Sequence, residues 1–220
     1  MNTPDSSPLV ESRWPPALAI LVVLVLLAAL PRHVFLIPVW ISRVAAAVVL
    51  MSMAAVALTK GHGLWLRIER DVIVLLAVLY VANTIAELTD MIGIITLHPA
   101  DKNAFSLLSS SVAIWISNVL MFSMLYWQID RGGPHARASG VIVRPDWIFA
   151  QPVSPADQPP GWRPLFLDYL FLGFNTATAF SPTDALPLTR RAKMLMMLQS
   201  AISLLTMVFV LSRAINVMPS

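Results

Sequence analysis

The sequence predicts an all-α, polytopic membrane protein of about five transmembrane helices, and three observations carry that reading. Hydrophobic residues make up 57% of the 220 positions and charged residues 12%, whereas a soluble domain carries about 25% charged residues. The apolar residues gather into runs that cross or nearly cross a hydrocarbon core of about 30 Å. Lys, Arg, Asp and Glu collect between those runs, at the depth of lipid headgroups.

The elements follow in order. Residues 1–13 are polar and hold two prolines, which predicts a disordered tail. Trp14 opens the first run, Ala17 to Leu30; no small-x-small cleavage site follows Arg13 before Pro31, so a retained span is expected rather than a signal peptide. Arg43 to Leu58 is a second, short span, with Arg43 and Lys60 reaching the headgroups. Residues 60–71 (KGHGLWLRIERD) read as a charged connection, and Asp71 to Thr96 as the third span. These elements form an N-terminal membrane part, 14–103.

The remainder, 104–217, has a different grammar. Ala104 to Gln128 is a fourth span closing on Tyr126 and Trp127. Residues 129–163 begin with DRGGP and are rich in proline, which predicts a long surface loop. Residues 164–178 form an apolar helix of about 22 Å, too short to cross a core of about 30 Å. Leu195 to Val210 is the centre of the last span, within a helix expected over 190–217.

Asn175 to Lys193 reads NTATAFSPTDALPLTRRAK. This segment resembles the pore loop of the tetrameric potassium channels, where a pore helix ends in T-A-T, the filter T-V-G-Y-G-D follows, and a Pro and a Thr precede the inner helix. Aligned without a gap, Thr176, Ala177, Thr178, Asp184, Pro187 and Thr189 match. Ala179, Phe180, Ser181, Pro182 and Thr183 occupy the five filter positions. The resemblance implies a re-entrant pore helix at 164–178, a filter-like loop at 179–189, an inner helix at 190–217 and an outer helix at 104–128. It further implies a homotetramer that passes monovalent cations.

The departures bear on ion choice. Filter glycines permit backbone geometries that a Cβ resists, and here Ser181 and Thr183 replace them. Pro182 removes a backbone donor and holds Ser181 extended, so the potassium carbonyl ladder is not expected. The oxygens of Thr178, Ser181, Thr183 and Asp184 would then line a wider mouth of low selectivity, with Phe180 as a constriction. The same residues also fit a plain interfacial hairpin, with Ser181 as N-cap and Pro182 at the first helical position. The whole chain additionally resembles a bacterial multi-pass family sharing YW-x-x-D-R-G-G-P and A-F-S-P-T-D, a likeness that implies a bacterial inner membrane and names no activity.

Orientation stays open. The basic residues concentrate on the side from which the loop would enter, Arg13, Arg131, Arg137, Arg190 and Arg191 among them. The positive-inside rule makes that side cytoplasmic, whereas a potassium-channel loop enters from outside. Either an outward loop tolerates the charges or the loop is inverted, as in glutamate-receptor channels.

A second polar group lies inside the spans. Asn83, Glu87 and Asp90 share one face of the third helix, toward the end that Arg43 and Arg213 also approach. An interhelical ion-pair cluster is expected, with a proton or cation relay as the other reading. Ser111 and Asn118 read as helix–helix hydrogen bonders. No catalytic set, cofactor motif or metal site is expected. Cysteine is absent, and His33, His62, His98 and His135 each fall alone in predicted connections. The dispersed basic residues suit a lipid surface rather than nucleic acid.

Overall fold

The computed structural model describes residues 11–29, 39–59, 63–97, 104–150, 162–178 and 185–217. Among them the chain is mostly helical: α1 (Trp14–Ala29), α2 (Val39–Leu58), α3 (Gly63–Leu97), α4 (Ala104–Ile129), α5 (Pro134–Ala138), α6 (Phe166–Thr178) and α7 (Arg190–Val217). Two short strands, β1 (Trp147–Phe149) and β2 (Ala185–Pro187), pair antiparallel with Trp147 opposite Pro187. Three helical stretches are long and apolar enough to cross a membrane: Gly63–Thr89, Leu108–Gly132 and Arg190–Leu211. Trp14–Leu26 and Arg43–Leu58 are shorter apolar helices.

α4 is the hub, touching α1, α3, α6 and α7. Its C-terminal half is enclosed on all sides, from Met121 through Gln128. α7 shows the opposite pattern. A stripe of Ala192, Gln199, Ile202, Ser203, Thr206 and Phe209 is buried, while Met194, Met197, Leu204, Val208 and Leu211 are exposed. Buried positions recurring at three and four residues mark the face turned to α4 and α6. The exposed apolar face is chemistry suited to lipid or to another subunit.

Three expectations need correction. The charged connection 60–71 is helical from Gly63 onward, because Glu69 finds Arg13 3.7 Å away and is carried into the interior. The disordered tail 1–13 cannot include its last residues: Glu11 and Arg13 are both buried. The surface loop 129–163 contains a 3-10 turn at Asp130–Gly132, then α5 and β1, and Asp130, Asp146 and Trp147 are fully enclosed.

Candidate functional site

α6 begins where the sequence supplies a cap. The Asp168 carboxylate accepts from Leu165 N at 2.7 Å, satisfying one of the amides that a helix start leaves open. Burial pushes the Asp168 carboxyl above its ordinary range, against the pull of that bond. α6 then runs antiparallel to α4. Phe166 meets the Trp127 ring edge-on, and Phe174 meets Trp115 further along.

Gly173 sets how closely the two helices approach. A Cβ there would stand 3.2 Å from the Val119 carbonyl oxygen and collide with the Ser123 hydroxyl. α7 lies parallel to α6, packs against α4 as well, and donates to the α6 carbonyls. Gln199 Nε2 reaches Gly173 O at 2.8 Å, Ser200 reaches Thr176 O at 3.1 Å, and Ser203 reaches Ala177 O at 2.5 Å. Tyr126 donates to Gln199 Oε1 at 2.6 Å, and Asn118 to Gln199 O at 3.2 Å, so one glutamine joins three helices. Asn118 is thus a helix–helix hydrogen bonder, as expected.

At the mouth of α6 stands a buried charge network. Asp130 Oδ1 accepts from the amides of Asp146 at 2.8 Å and Trp147 at 3.4 Å, and Oδ2 accepts from the Tyr169 hydroxyl at 2.6 Å. Burial holds the Tyr169 phenol well above its ordinary value, which keeps it a donor. The Arg137 guanidinium lies 4.9 Å from the centre of the Tyr169 ring. It donates to the carbonyls of Trp127 and Asp130 at 2.8 and 2.9 Å, and to Glu11 at 3.3 Å. Glu11 also accepts from the Trp127 indole at 2.6 Å.

Asp146 continues the network into α7. It accepts from the Thr189 hydroxyl and, through both oxygens, from Arg191, while its carbonyl accepts from Leu188 N. Thr189 caps α7, its hydroxyl accepting from Ala192 N at 3.2 Å. α7 therefore starts at Arg190.

Of the filter-like residues, Thr178 closes α6 and its hydroxyl donates to Phe174 O at 3.0 Å. Ala179, Phe180, Ser181, Pro182, Thr183 and Asp184 lie outside the described residues. Within 179–189, residues 185–187 form β2 rather than continuous loop, because β1 offers them a partner strand. Of the intramembrane cluster, Asn83 donates to Glu87 at 2.8 Å. Arg43 is exposed and makes no ion pair with Glu87 among the described residues. The Asp90 and Arg213 side chains lie outside the described ones. His135 sits in α5, 3.4 Å from the Ser139 hydroxyl. Among the described residues no group of side chains could hold a metal.

Sequence reasoning missed Glu11, Arg13, Glu69, Arg137, Asp146, Tyr169 and Gln199. One signal was available: a chain this apolar places charges off its helix ends only when they have partners. No protein-family model matches the chain, and no curated protein or solved structure matches it either.

Proposed function

We propose that the chain is the subunit of a homotetrameric cation channel of low or altered selectivity. In this reading α1, α2, α3, α4 and α7 are five spans, α6 is a re-entrant pore helix, 179–189 form the mouth, and α7 lines the axis. One observation carries it. A half-length helix is held between two long ones, antiparallel to α4 and parallel to α7, and the chain is back beside β1 seven residues after Thr178. Seven residues reach at most about 25 Å, which covers the return along a 13-residue helix of about 20 Å. Non-helical backbone at membrane depth is tolerated only where protein or water surrounds it. One such segment cannot enclose a pore, and the exposed apolar face of α7 offers the contact surface that an oligomer would use.

The test is cation flux into liposomes, followed by reversal potentials in a planar bilayer. Currents that discriminate poorly between sodium and potassium support the proposal. Asp184→Asn should lower cation flux several-fold, because a ring of carboxylates concentrates cations at a mouth, and should leave thermal stability unchanged. Native mass spectrometry giving a strict monomer or dimer would sink the tetramer.

A second reading, a non-conducting scaffold or sensor subunit, is favoured by a specific observation. The Thr176 and Ala177 carbonyls at the end of α6 already accept from Ser200 and Ser203. In a conducting pore the helix C-terminus turns its partial negative charge toward the ion. Absence of current at every voltage and pH would select this reading.

A further inference from the structure

Beside the charge network lies a cavity of about 440 Å³, lined by Arg131, Arg137, Trp162, Arg163 and the run Val141–Val143. Among the described residues no acidic side chain lines it. We propose that this cavity binds a phosphate group, carried by the headgroup of an anionic phospholipid.

Two of its arginines have donors that the protein does not use. Asp130 stands 3.7 Å from Arg131 Nε, yet both its oxygens are taken by backbone amides and the Tyr169 hydroxyl. The Arg131 Nε is buried without a hydrogen-bond acceptor. Arg137 is 9% exposed, spends its two Nη atoms on carbonyls and Glu11, and its buried Nε also has no acceptor. Both Nε atoms are shielded from the cavity, so the accessible part of the Arg131 side chain, 31% exposed, is what it presents, and a guanidinium fork matches phosphate oxygens in geometry and charge. The volume lies in the range of small-ligand sites.

The backbone supports the same assignment. Arg131 has φ 51° and ψ 32°, and it is the one non-glycine residue with positive φ among the described residues. Side chains resist that conformation, and it persists where surrounding structure enforces it. The strain therefore places an arginine, where glycine would sit at ease, on the wall of an arginine-lined cavity.

The rim identifies the carrier. Val141, Ile142 and Val143 are exposed, Ile142 completely, on the face where α4 ends and where α6 and α7 begin. Apolar side chains beside arginines at the end of apolar spans match the boundary between acyl chains and phosphates. A free phosphate would use the arginines and gain nothing from this rim.

The experiment uses the full-length protein in detergent micelles, with native mass spectrometry for retained lipid and thermal unfolding for stabilisation. The probes are phosphatidylglycerol, phosphatidylcholine and inorganic phosphate. Wild-type protein should retain phosphatidylglycerol at least about tenfold more tightly than phosphatidylcholine. Arg131→Gly suits the backbone and removes the charge, so the fold should survive while the preference falls at least about fivefold. Arg131→Lys should keep part of it. Ile142→Ser should weaken phosphatidylglycerol retention and leave any response to inorganic phosphate unchanged. Stabilisation by inorganic phosphate alone, lost in Arg131→Gly, would keep the phosphate site and overturn the lipid as its carrier. Equal retention of both lipids without a phosphate response, or Arg131→Gly binding like wild type, would overturn the site altogether.

Discussion

The two halves of the molecule hold their helices together by different means. In α1 to α3 most buried contacts are aliphatic or small, Ala19, Ile20 and Val23 from α1, Ala46, Val49 and Met53 from α2, Ile73 and Ala77 from α3, with Glu69 beside Arg13 as the charged exception. Tyr80 ties α3 to α4 by donating to Ile114 O at 3.0 Å, and Glu11, just before α1, accepts from Trp127 and Arg137. From α4 onward the helices are joined by hydrogen bonds at both levels, the Asp130 network at the face and the Gln199, Ser200 and Ser203 donors below it. Lipid tails are as apolar as leucine, so aliphatic contacts give little direction to helix pairing. Polar contacts do. The first half is held mainly by packing; the second fixes a 13-residue helix by directed polar contacts.

The largest test of that contrast is Asp130→Ala. It strands the Tyr169 hydroxyl, the amides of Asp146 and Trp147, and the neighbouring arginines, and breaking a buried charge cluster costs about 3–5 kcal/mol. Val49→Ala in α2 is the matched control, expected at about 1.6 kcal/mol from two buried carbons at about 0.8 kcal/mol each. Thermal unfolding in detergent measures both, and equal losses would erase the distinction between the halves. A middle-sized effect is expected for Gly173→Ala, where overpacking costs about 1–3 kcal/mol. Ser123→Gly should restore part of the loss, and a failure to do so would show that the α4–α6 approach is set elsewhere.

The smallest effect concerns Asp168. Because burial raises its carboxyl, the folded state binds that proton more tightly than the unfolded chain does. Its contribution to stability is complete below the ordinary carboxylate range and is lost as pH rises through the raised value. Asp168→Asn should therefore flatten the fall in unfolding temperature as pH rises above the ordinary carboxylate range. An identical pH profile in the variant would remove Asp168 from the account.

The legible part of the sequence was the part written locally. Apolar runs marked α4, α6 and α7 to within two residues, since Pro164 signals a helix start and length alone separates a half-helix from a span. The illegible part was the partnership between distant charges. Glu11 meets Trp127 and Arg137, more than a hundred residues downstream, and the motif around Asp130 read as a turn because its partners, Asp146 and Tyr169, lie in what looked like a loop and an apolar helix. Periodicity reports which face of a helix is apolar, not which charge will answer another. For the same reason the KGHGLWLRIERD stretch read as a connection, its Glu69 being buried beside Arg13, more than fifty residues upstream.

The donors on α7 also bear on the order in which the protein is made. α6 is 13 residues long, and its Thr176 and Ala177 carbonyls accept from serines that leave the ribosome more than twenty residues later. Until α7 exists those carbonyls have no protein donor, and the cost of taking bare carbonyls into lipid keeps the short helix at the water boundary. In the re-entrant reading proposed above, α4 and α7 are therefore in the bilayer before α6 settles against them, which makes docking of α6 a late step of biogenesis.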